Sequence, residues 1–360
     1  MDLRLLNKTA LTAVVWTLNG LWLLFLLWAT ASQVHATERG PDYLFPREAT
    51  GGVVLDASRL QSEGGGQGGA QVSYQAFDGT IHSLSEYRGK HVRLLLPVSP
   101  PGNPYFTEDH IEEMVDRLDV LYVLYRDLLH REPSGAGLLP IAFVPETCGM
   151  GCGLLGAKGI EILSHPLNYE NIIRELDAGQ LEKILVHEMV HNFDTFAEYM
   201  HYLPDHAHAW TDMFEFFAPY RYARDLRNNE TPDDVFNSPV RAIWRDYVAD
   251  QTANWETCVR QQGCAEDGLP ANPLWAMLYY RVEAVHGSEA LLRSFDYLAD
   301  YASRKAAPAS DEDKEGLRIL SLAVGAQANI ACYLDELRWP LTDAVRNEMT
   351  LRFGSGAALC

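Results

Sequence analysis

Basic residues are scarce in this 360-residue sequence, where 29 lysines and arginines stand against 49 aspartates and glutamates for a formal net charge of −20. Proteins that bind DNA or RNA place positive charge against the phosphates and release counterions. The deficit of positive charge therefore argues against nucleic acid as a partner. Internal repeats are lacking as well, and the length suffices for two small domains or lobes.

An extended apolar run occurs near the N-terminus, where Arg4 and Lys8 precede residues 10–28 and small residues follow up to Ala36. This order is typical of a cleaved secretory signal. An uncleaved anchor is the alternative, because the run approaches the roughly 20 residues that span a bilayer. Both interpretations predict that the remaining chain is secreted or periplasmic, and that any membrane attachment is made through residues 1–36.

Cysteine is sparse, with six residues, and an even number in an exported chain favours disulfide bonds. The spacing predicts three pairs, which are Cys148 with Cys152, Cys258 with Cys264, and Cys332 with Cys360. The sequence alone does not fix this connectivity. Metal binding by the first pair is the alternative.

The chain divides by composition into a leader, a linker and a folded part. Residues 37–70 are rich in glycine, proline and polar residues, which predicts a flexible linker. A hairpin with its turn at Asp78-Gly79 should follow, then strands at 91–97, 138–144 and 159–163 and helices at 107–129 and 169–176. The strand at 159–163 is interpreted as a sheet edge to which an extended peptide could add, or as an ordinary edge strand. Beyond Tyr202 the pattern is mostly helical, with one helix over 311–337.

The segment from His187 to His191 reads His-Glu-Met-Val-His. Residues four apart share one face of a helix, so His187 and His191 can offer two nitrogens to one metal ion. Zinc accepts this geometry, and Glu188 is placed to act as general base on a metal-bound water. The apolar flanks predict a buried helix. Two core histidines with no metal are the alternative.

A catalytic zinc site needs a third protein ligand. Glu215 is the candidate, because it lies among Trp210, Met213, Phe214, Phe216 and Phe217, where an unpaired carboxylate would be costly. Pairing of Glu215 with Arg221 or Arg224 is the alternative. Asp194 is interpreted as a carboxylate that orients a ligand, or as a solvent-exposed residue.

The two segments His187-Glu-Met-Val-His-Asn-Phe-Asp194 and Glu215-Phe-Phe-Ala-Pro-Tyr-Arg221 together resemble the gluzincin zinc metallopeptidases of the anthrax lethal factor and Pro-Pro endopeptidase type. The resemblance covers about residues 159–224. It implies Zn²⁺ bound by His187, His191 and Glu215. The family places an oxyanion-stabilising tyrosine seven residues before the glutamate, and His208 occupies that position here. Tyr202 and His206 are alternatives, and the histidines at 201, 206 and 208 form a solvated loop in a third interpretation.

The sequence as a whole predicts an α+β fold of the two-lobed zincin type. Residues 71–203 would form the N-terminal lobe with a small mixed sheet and the active-site helix, and residues 204–360 a helical lobe carrying the third zinc ligand. The predicted function is hydrolysis of peptide bonds in a peptide or protein substrate, with Glu188 and His208 as catalytic residues. A catalytically silent binding module and a zinc hydrolase of non-peptide substrates are the alternatives.

Overall fold

The computed structural model describes residues 54–55, 69–98, 105–203, 205–214, 246–261, 271–287 and 289–355. Within these residues seven strands form one mixed sheet in the order β1-β2-β3-β4-β5-β7-β6. The strands are β1 (Val54–Leu55), β2 (Ala70–Gln75), β3 (Ile81–Arg88), β4 (Val92–Pro97), β5 (Leu139–Val144), β6 (Gly151–Gly153) and β7 (Ile160–Leu163). The central strands β4, β5 and β7 are parallel, and the remaining neighbours pair antiparallel.

The β2–β3 hairpin forms where the sequence predicts it. Gly79 adopts a positive φ of 87°, which glycine accepts without strain, and the Asp78 carboxylate accepts a hydrogen bond from Thr80 N at 2.8 Å. Val72 and Tyr74 alternate with more exposed residues, so one face of β2 is buried. Strand β1 lies within the stretch predicted as a linker, and the rest of residues 37–68 lies outside the described residues.

The predicted strand at 159–163 is present as β7, but its interpretation as a sheet edge is wrong. Strand β7 lies between β5 and β6, and β6 ends the sheet. The glycine-rich segment after Cys148 supplies β6, which pairs antiparallel with β7 from Gly151 opposite Ile162 to Gly153 opposite Ile160. Because glycines lack side chains, this segment can lie closely over the helix beneath it.

Helices follow the strands and then dominate the C-terminal part. Thr107 caps the first helix by accepting a hydrogen bond from His110 N, as its sequence position predicts. The helices are α1 (Glu108–Leu129), α2 (Pro166–Asp177), α3 (Lys183–Asn192), α4 (Ala197–Met200), α5 (206–214), α6 (Ala271–His286), α7 (Glu289–Arg304), α8 (Asp311–Ala326), α9 (Ala331–Glu336) and α10 (Asp343–Phe353), with helical turns at 246–249 and a π-helical turn at Glu256–Arg260.

The prediction of one helix over 311–337 is wrong at Gln327. This residue adopts a left-handed conformation with φ of 54° and ends α8. The buried Asn329 side chain then accepts a hydrogen bond from Ala331 N at 3.0 Å and starts α9. An amide side chain that bonds to nearby backbone competes with helix continuation, which explains the break.

One cluster of buried apolar side chains joins the sheet to the helices. It extends from Val92 and Ile141 in the sheet, through α1 and α3, to Met349 in α10. A smaller cluster around Tyr74 and Leu95 covers the opposite face of the sheet. The described residues therefore form a mixed sheet with a mostly helical C-terminal part, which confirms the α+β class.

The Cys148–Cys152 disulfide is present, with the Cα atoms 5.6 Å apart. Cys258 and Cys332 are also disulfide-bonded. Their predicted partners, Cys264 and Cys360, lie outside the described residues, so these two pairings stay predictions. Among the described residues no helix has the length and apolarity needed to cross a bilayer. Residues 1–36, which carry the signal or anchor prediction, lie outside them.

Candidate metal centre

Helix α3 carries the His-Glu-Met-Val-His segment and is buried along most of its length. Glu182 caps its N-terminus by accepting a hydrogen bond from Ile184 N. On its inner side, Tyr125 donates to Val186 O at 3.3 Å. At its C-terminal end the Asn192 amide donates to Leu154 O at 2.9 Å and to Gly159 O at 3.0 Å. These contacts fix the helix against α1 and against the turn between β6 and β7.

His187 and His191 lie one turn apart on α3, as the i, i+4 spacing predicts. Their ring centroids are 4.9 Å apart. His187 is half-buried and His191 is buried. Both imidazoles can therefore contribute a nitrogen to one ion.

Helix α5 brings a third histidine to this pair. The Trp210 indole is fully buried and donates from Nε1 to Val190 O at 3.1 Å, which ties α5 to the motif helix. Thr211 Oγ1 donates to His208 O at 2.8 Å. The His208 ring centroid lies 5.9 Å from that of His187 and 6.2 Å from that of His191, and His208 is exposed.

The three histidines offer potential ligand atoms that all lie within 4.8 Å of one another. Zn–N bonds of about 2.0–2.1 Å in a tetrahedral site separate the nitrogens by about 3.3 Å. The donors therefore need to approach by at most about 1.5 Å to share an ion. The structure thus brings His187, His191 and His208 together in an arrangement that fits a metal ion.

His191 has the protonation state that a metal ligand needs. Burial lowers its pKa well below the usual value, and the electrostatic influence of His187, His208 and His201 acts in the same direction. A neutral imidazole is the form that binds zinc. The Nδ1 atom of His191 is buried without a hydrogen-bond partner among the described residues.

Glu188 is buried beneath β6. A Cβ atom added to Gly151 would lie 2.7 Å from both Cγ and Oε1 of Glu188. A Cβ atom on Gly153 would lie 2.3 Å from Glu188 O and 2.9 Å from His191 Cβ. All of these distances are shorter than real contacts. At Gly153 the neighbour is backbone, so only glycine allows β6 to lie this close to the motif helix there, whereas a side chain at Gly151 would displace the Glu188 side chain.

Strand β6 presents backbone groups at the edge of the sheet. Leu163 N donates to Met150 O at 2.9 Å, and Leu154 N donates to Gly159 O at 3.0 Å. In an antiparallel pair, hydrogen-bonded residues alternate with residues whose backbone groups point outward. The N–H groups of Gly151 and Gly153 therefore point away from β7, beside Glu188.

Two of the alternatives to His208 are engaged elsewhere. His206 is fully buried and accepts a hydrogen bond from Trp275 Nε1 at 2.9 Å. Tyr202 OH donates to Glu315 Oε2 at 2.6 Å. His201 is also buried, with its Nε2 3.1 Å from Asp194 Oδ2. The interpretation of residues 201, 206 and 208 as a solvated loop is therefore wrong, because tertiary packing buries two of the three histidines.

Asp194 is 1% exposed, so its interpretation as a solvent-exposed residue is wrong. Its backbone N donates to His191 O at 3.0 Å where α3 ends. Burial raises the pKa of the Asp194 carboxyl to about 8, and the positive charge of Arg318 opposes this shift. The side chain lies between the end of the motif helix and the C-terminal helices.

Glu215 lies outside the described residues, as do Arg221 and Arg224, so its role as a ligand stays a prediction. His208 was predicted to lie near the reacting atoms but not to be a potential metal donor. Its position two helical turns before Glu215 was the sequence signal that could have indicated metal binding by His208. Apart from the local abundance of glycine, nothing in the sequence indicated that Gly151 lies close to Glu188.

No protein-family model matches the chain, and no curated protein matches it. Two solved structures of a functionally unknown conserved protein from Bacillus anthracis strain Ames are similar in fold. The first, a mutant, has a TM-score of 0.51 and 12% identity over 74% of this chain and 51% of that one. The second has a TM-score of 0.50 and 11% identity over the same shares.

A metallopeptidase from Bacteroides thetaiotaomicron has a TM-score of 0.46 and 12% identity, covering 76% of this chain and 47% of that chain. The chain thus spans about half the length of the solved structures that it matches. At these identities the likeness to the Bacillus anthracis structures concerns the fold alone.

Proposed function

We propose that this protein is a zinc-dependent endopeptidase. The observation that carries the proposal is the cluster of His187, His191 and His208, whose potential ligand atoms lie within 4.8 Å of one another, next to the buried Glu188. Two histidines and a glutamate on one helix are the parts that a zinc hydrolase places around its reacting water. In this proposal the fold is a two-lobed zincin, with residues 71–203 as one lobe and 204–360 as the other.

His187 and His191 would hold the ion, together with Glu215 as the third ligand that the family resemblance implies. Zinc, when bound, would lower the pKa of a water to about 7 and polarise the scissile carbonyl. Glu188 would accept a proton from that water and pass it to the leaving amine. Its burial beneath β6 favours this role, because the close approach of β6 restricts where its carboxylate can lie.

His208 would donate a hydrogen bond to the oxyanion of the tetrahedral intermediate. Its exposure supports this role, since it stands on the open side of the cluster, whereas His191 is buried. The same position also leaves His208 within reach of the ion, so it is the alternative third ligand. Removal of the His208 ring distinguishes the two roles. Zinc content should be unchanged if His208 is the oxyanion donor and should fall if His208 is the third ligand.

The substrate would be a peptide or protein that binds in extended form. The outward N–H groups of Gly151 and Gly153 at the sheet edge offer hydrogen bonds to such a backbone. This edge lies directly beside Glu188, which would bring the scissile bond close to the general base. The exposed disulfide at Cys148 is consistent with a secreted or periplasmic location, where disulfides persist.

The test measures zinc content and peptidase activity of the full-length chain. Wild type should contain one zinc per chain and cleave members of a peptide library, with activity lost in a chelator and restored by zinc. Glu188→Gln should keep the zinc and lose cleavage, and His187→Ala should lose both. Glu198→Gln is the matched control, because Glu198 is an exposed carboxylate on α4 and should leave both properties unchanged.

Two results would overturn the proposal, and a third would change its mechanism. If wild type binds no zinc, the metal site itself is refuted. A zinc-loaded wild type that cleaves no peptide in the library would favour a catalytically silent binding module or a hydrolase of non-peptide substrates. Cleavage that persists in Glu188→Gln would remove Glu188 from the mechanism.

A further inference from the structure

The edge strand β6 is short and, among the described residues, pairs with a neighbouring strand on one side only. Its three residues pair with β7, and it ends the sheet on the other side. Edge strands of this length have few backbone hydrogen bonds to hold them in place. The Asn168 and Asn192 amides donate to Met150 O at 3.2 Å and to Leu154 O at 2.9 Å at the two ends of β6. A covalent constraint beside Gly151 would add to these bonds in keeping Gly151 in contact with Glu188.

The Cys148–Cys152 disulfide supplies that constraint. It closes the turn that leads into β6, with a Cα separation of 5.6 Å, and Cys148 Sγ lies 3.3 Å from Gly151 O. The bonded Cys152 stands between Gly151 and Gly153, the two residues that contact α3. Breaking the bond would remove the covalent link across the turn at residues 148–151, which leads into β6.

The geometry points to the Cys148–Cys152 disulfide as a redox-sensitive positioning element, which holds Gly151 against Glu188 and makes hydrolysis depend on the oxidised state. This inference rests on the proposed peptidase function. Cys148 is exposed and Cys152 is half-buried, so a small reductant can reach the bond. A dithiol transfers two electrons and two protons to the sulfurs, which become two thiols, and is itself oxidised to a cyclic disulfide.

Reduction should lower turnover without removing the metal. The histidines belong to α3 and α5. The bonds from Trp210 Nε1 to Val190 O and from Tyr125 OH to Val186 O hold these helices in place independently of β6. Glu188, by contrast, would lose the backbone that confines its side chain. A displacement of about 1 Å in a catalytic group can reduce the rate by about a hundredfold. We therefore expect kcat to fall by tenfold or more. KM should rise as well, because the N–H groups of Gly151 and Gly153 in β6 are proposed to bind the substrate backbone.

The experiment compares zinc-loaded wild type with the double variant Cys148→Ser/Cys152→Ser, before and after treatment with a dithiol. The double variant should have low kcat in both conditions, and wild type should fall to the same level only when reduced. Because the other cysteines respond equally in both proteins, this comparison isolates the Cys148–Cys152 bond. Zinc content should be the same in all four samples.

Hydrogen exchange gives a measurement that does not depend on catalysis. The amides of residues 150–154 should exchange faster in reduced wild type and in the double variant, and those of α3 should not. A second variant, Gly151→Ala, should lower kcat with zinc retained, because its Cβ would lie 2.7 Å from Glu188 Oε1. Gly149→Ala is the control, since its nearest neighbour would be 3.8 Å away.

The results separate the two hypotheses. An oxidised wild type with zinc but no peptidase activity refutes the proposed function. An active wild type whose kcat and amide exchange are unchanged by the dithiol refutes the positioning role of the disulfide. Loss of zinc in the untreated double variant would also contradict it, because the disulfide would then support the metal site as a whole.

Discussion

Glu161 on β7 should make the protein less stable as the pH rises, and the substitution Glu161→Gln should remove this effect. The Glu161 side chain is 2% exposed and accepts hydrogen bonds from Tyr74 OH at 3.0 Å and from Phe77 N at 2.7 Å. Burial raises its pKa from 4.5 to about 7, and the two hydrogen bonds oppose the shift without cancelling it. The folded state therefore holds a proton on Glu161 that the unfolded state releases.

The sign and size of the effect follow from this difference. Below the unfolded pKa of 4.5 both states are protonated, and the carboxyl imposes no penalty. Between 4.5 and about 7 the unfolded state ionises first, so stability falls as the pH rises. A shift of about 2.5 pKa units corresponds to about 3 kcal/mol lost above neutral pH. Glutamine has nearly the same shape and does not ionise.

The assay is thermal unfolding of the metal-free protein, with wild type and Glu161→Gln compared at pH 5 and pH 8. The variant should match wild type within about 1 kcal/mol at pH 5 and unfold about 5 °C higher at pH 8. Glu86→Gln is the control on the neighbouring part of the sheet. Glu86 is buried but accepts from Arg88 Nε at 2.7 Å, so its loss should lower the unfolding temperature. An equal shift of the unfolding temperature at both pH values for Glu161→Gln would show that ionisation of Glu161 does not cause the pH dependence.

Two further predictions concern the metal site. His208→Ala should keep zinc and lower kcat by about 10²–10³, as expected for loss of an oxyanion donor, whereas Glu215→Ala should lose zinc. If instead His208→Ala loses zinc and Glu215→Ala keeps it, His208 is the third ligand. Trp210→Phe should remove the hydrogen bond to Val190 O and cost about 1 kcal/mol of unfolding free energy. It should also weaken zinc affinity if His208 binds the ion and leave it unchanged if His208 does not. A metal titration of the variant distinguishes these outcomes.

The local signals in the sequence were sufficient for most of the sheet and for the motif helix. The hairpin turn at Asp78-Gly79, the Thr107 cap and the buried runs of β4 and β5 each depend on neighbouring residues, which a pattern can represent. The same holds for the 3.6-residue period that places His187 and His191 on one face. These elements were predicted because their determinants are close together along the chain.

Other features depend on contacts between distant segments and were missed for that reason. The glycine-rich stretch around Gly151 resembles a loop in composition, and only the approach of α3 shows why glycine is required. His201 and His206 appear polar and exposed in the sequence, but Asp194 and Trp275 from other segments bury them. Gln327 ends a helix in the left-handed conformation, although it is neither glycine nor asparagine.

The same long-range contacts explain why the C-terminal helices matter to the site. His208 reaches the motif helix because Trp210, on the same helix, donates to Val190 O and packs against Phe295 of α7, with ring centroids 5.3 Å apart. Helix α8 adds Arg318, whose positive charge acts on the buried Asp194 at the end of the motif helix. The two histidines of α3 are set by local sequence, but the position of His208 depends on packing contributed by residues up to a hundred positions away. Within the proposed function, the helical part is therefore a component of the catalytic site as well as a support for it.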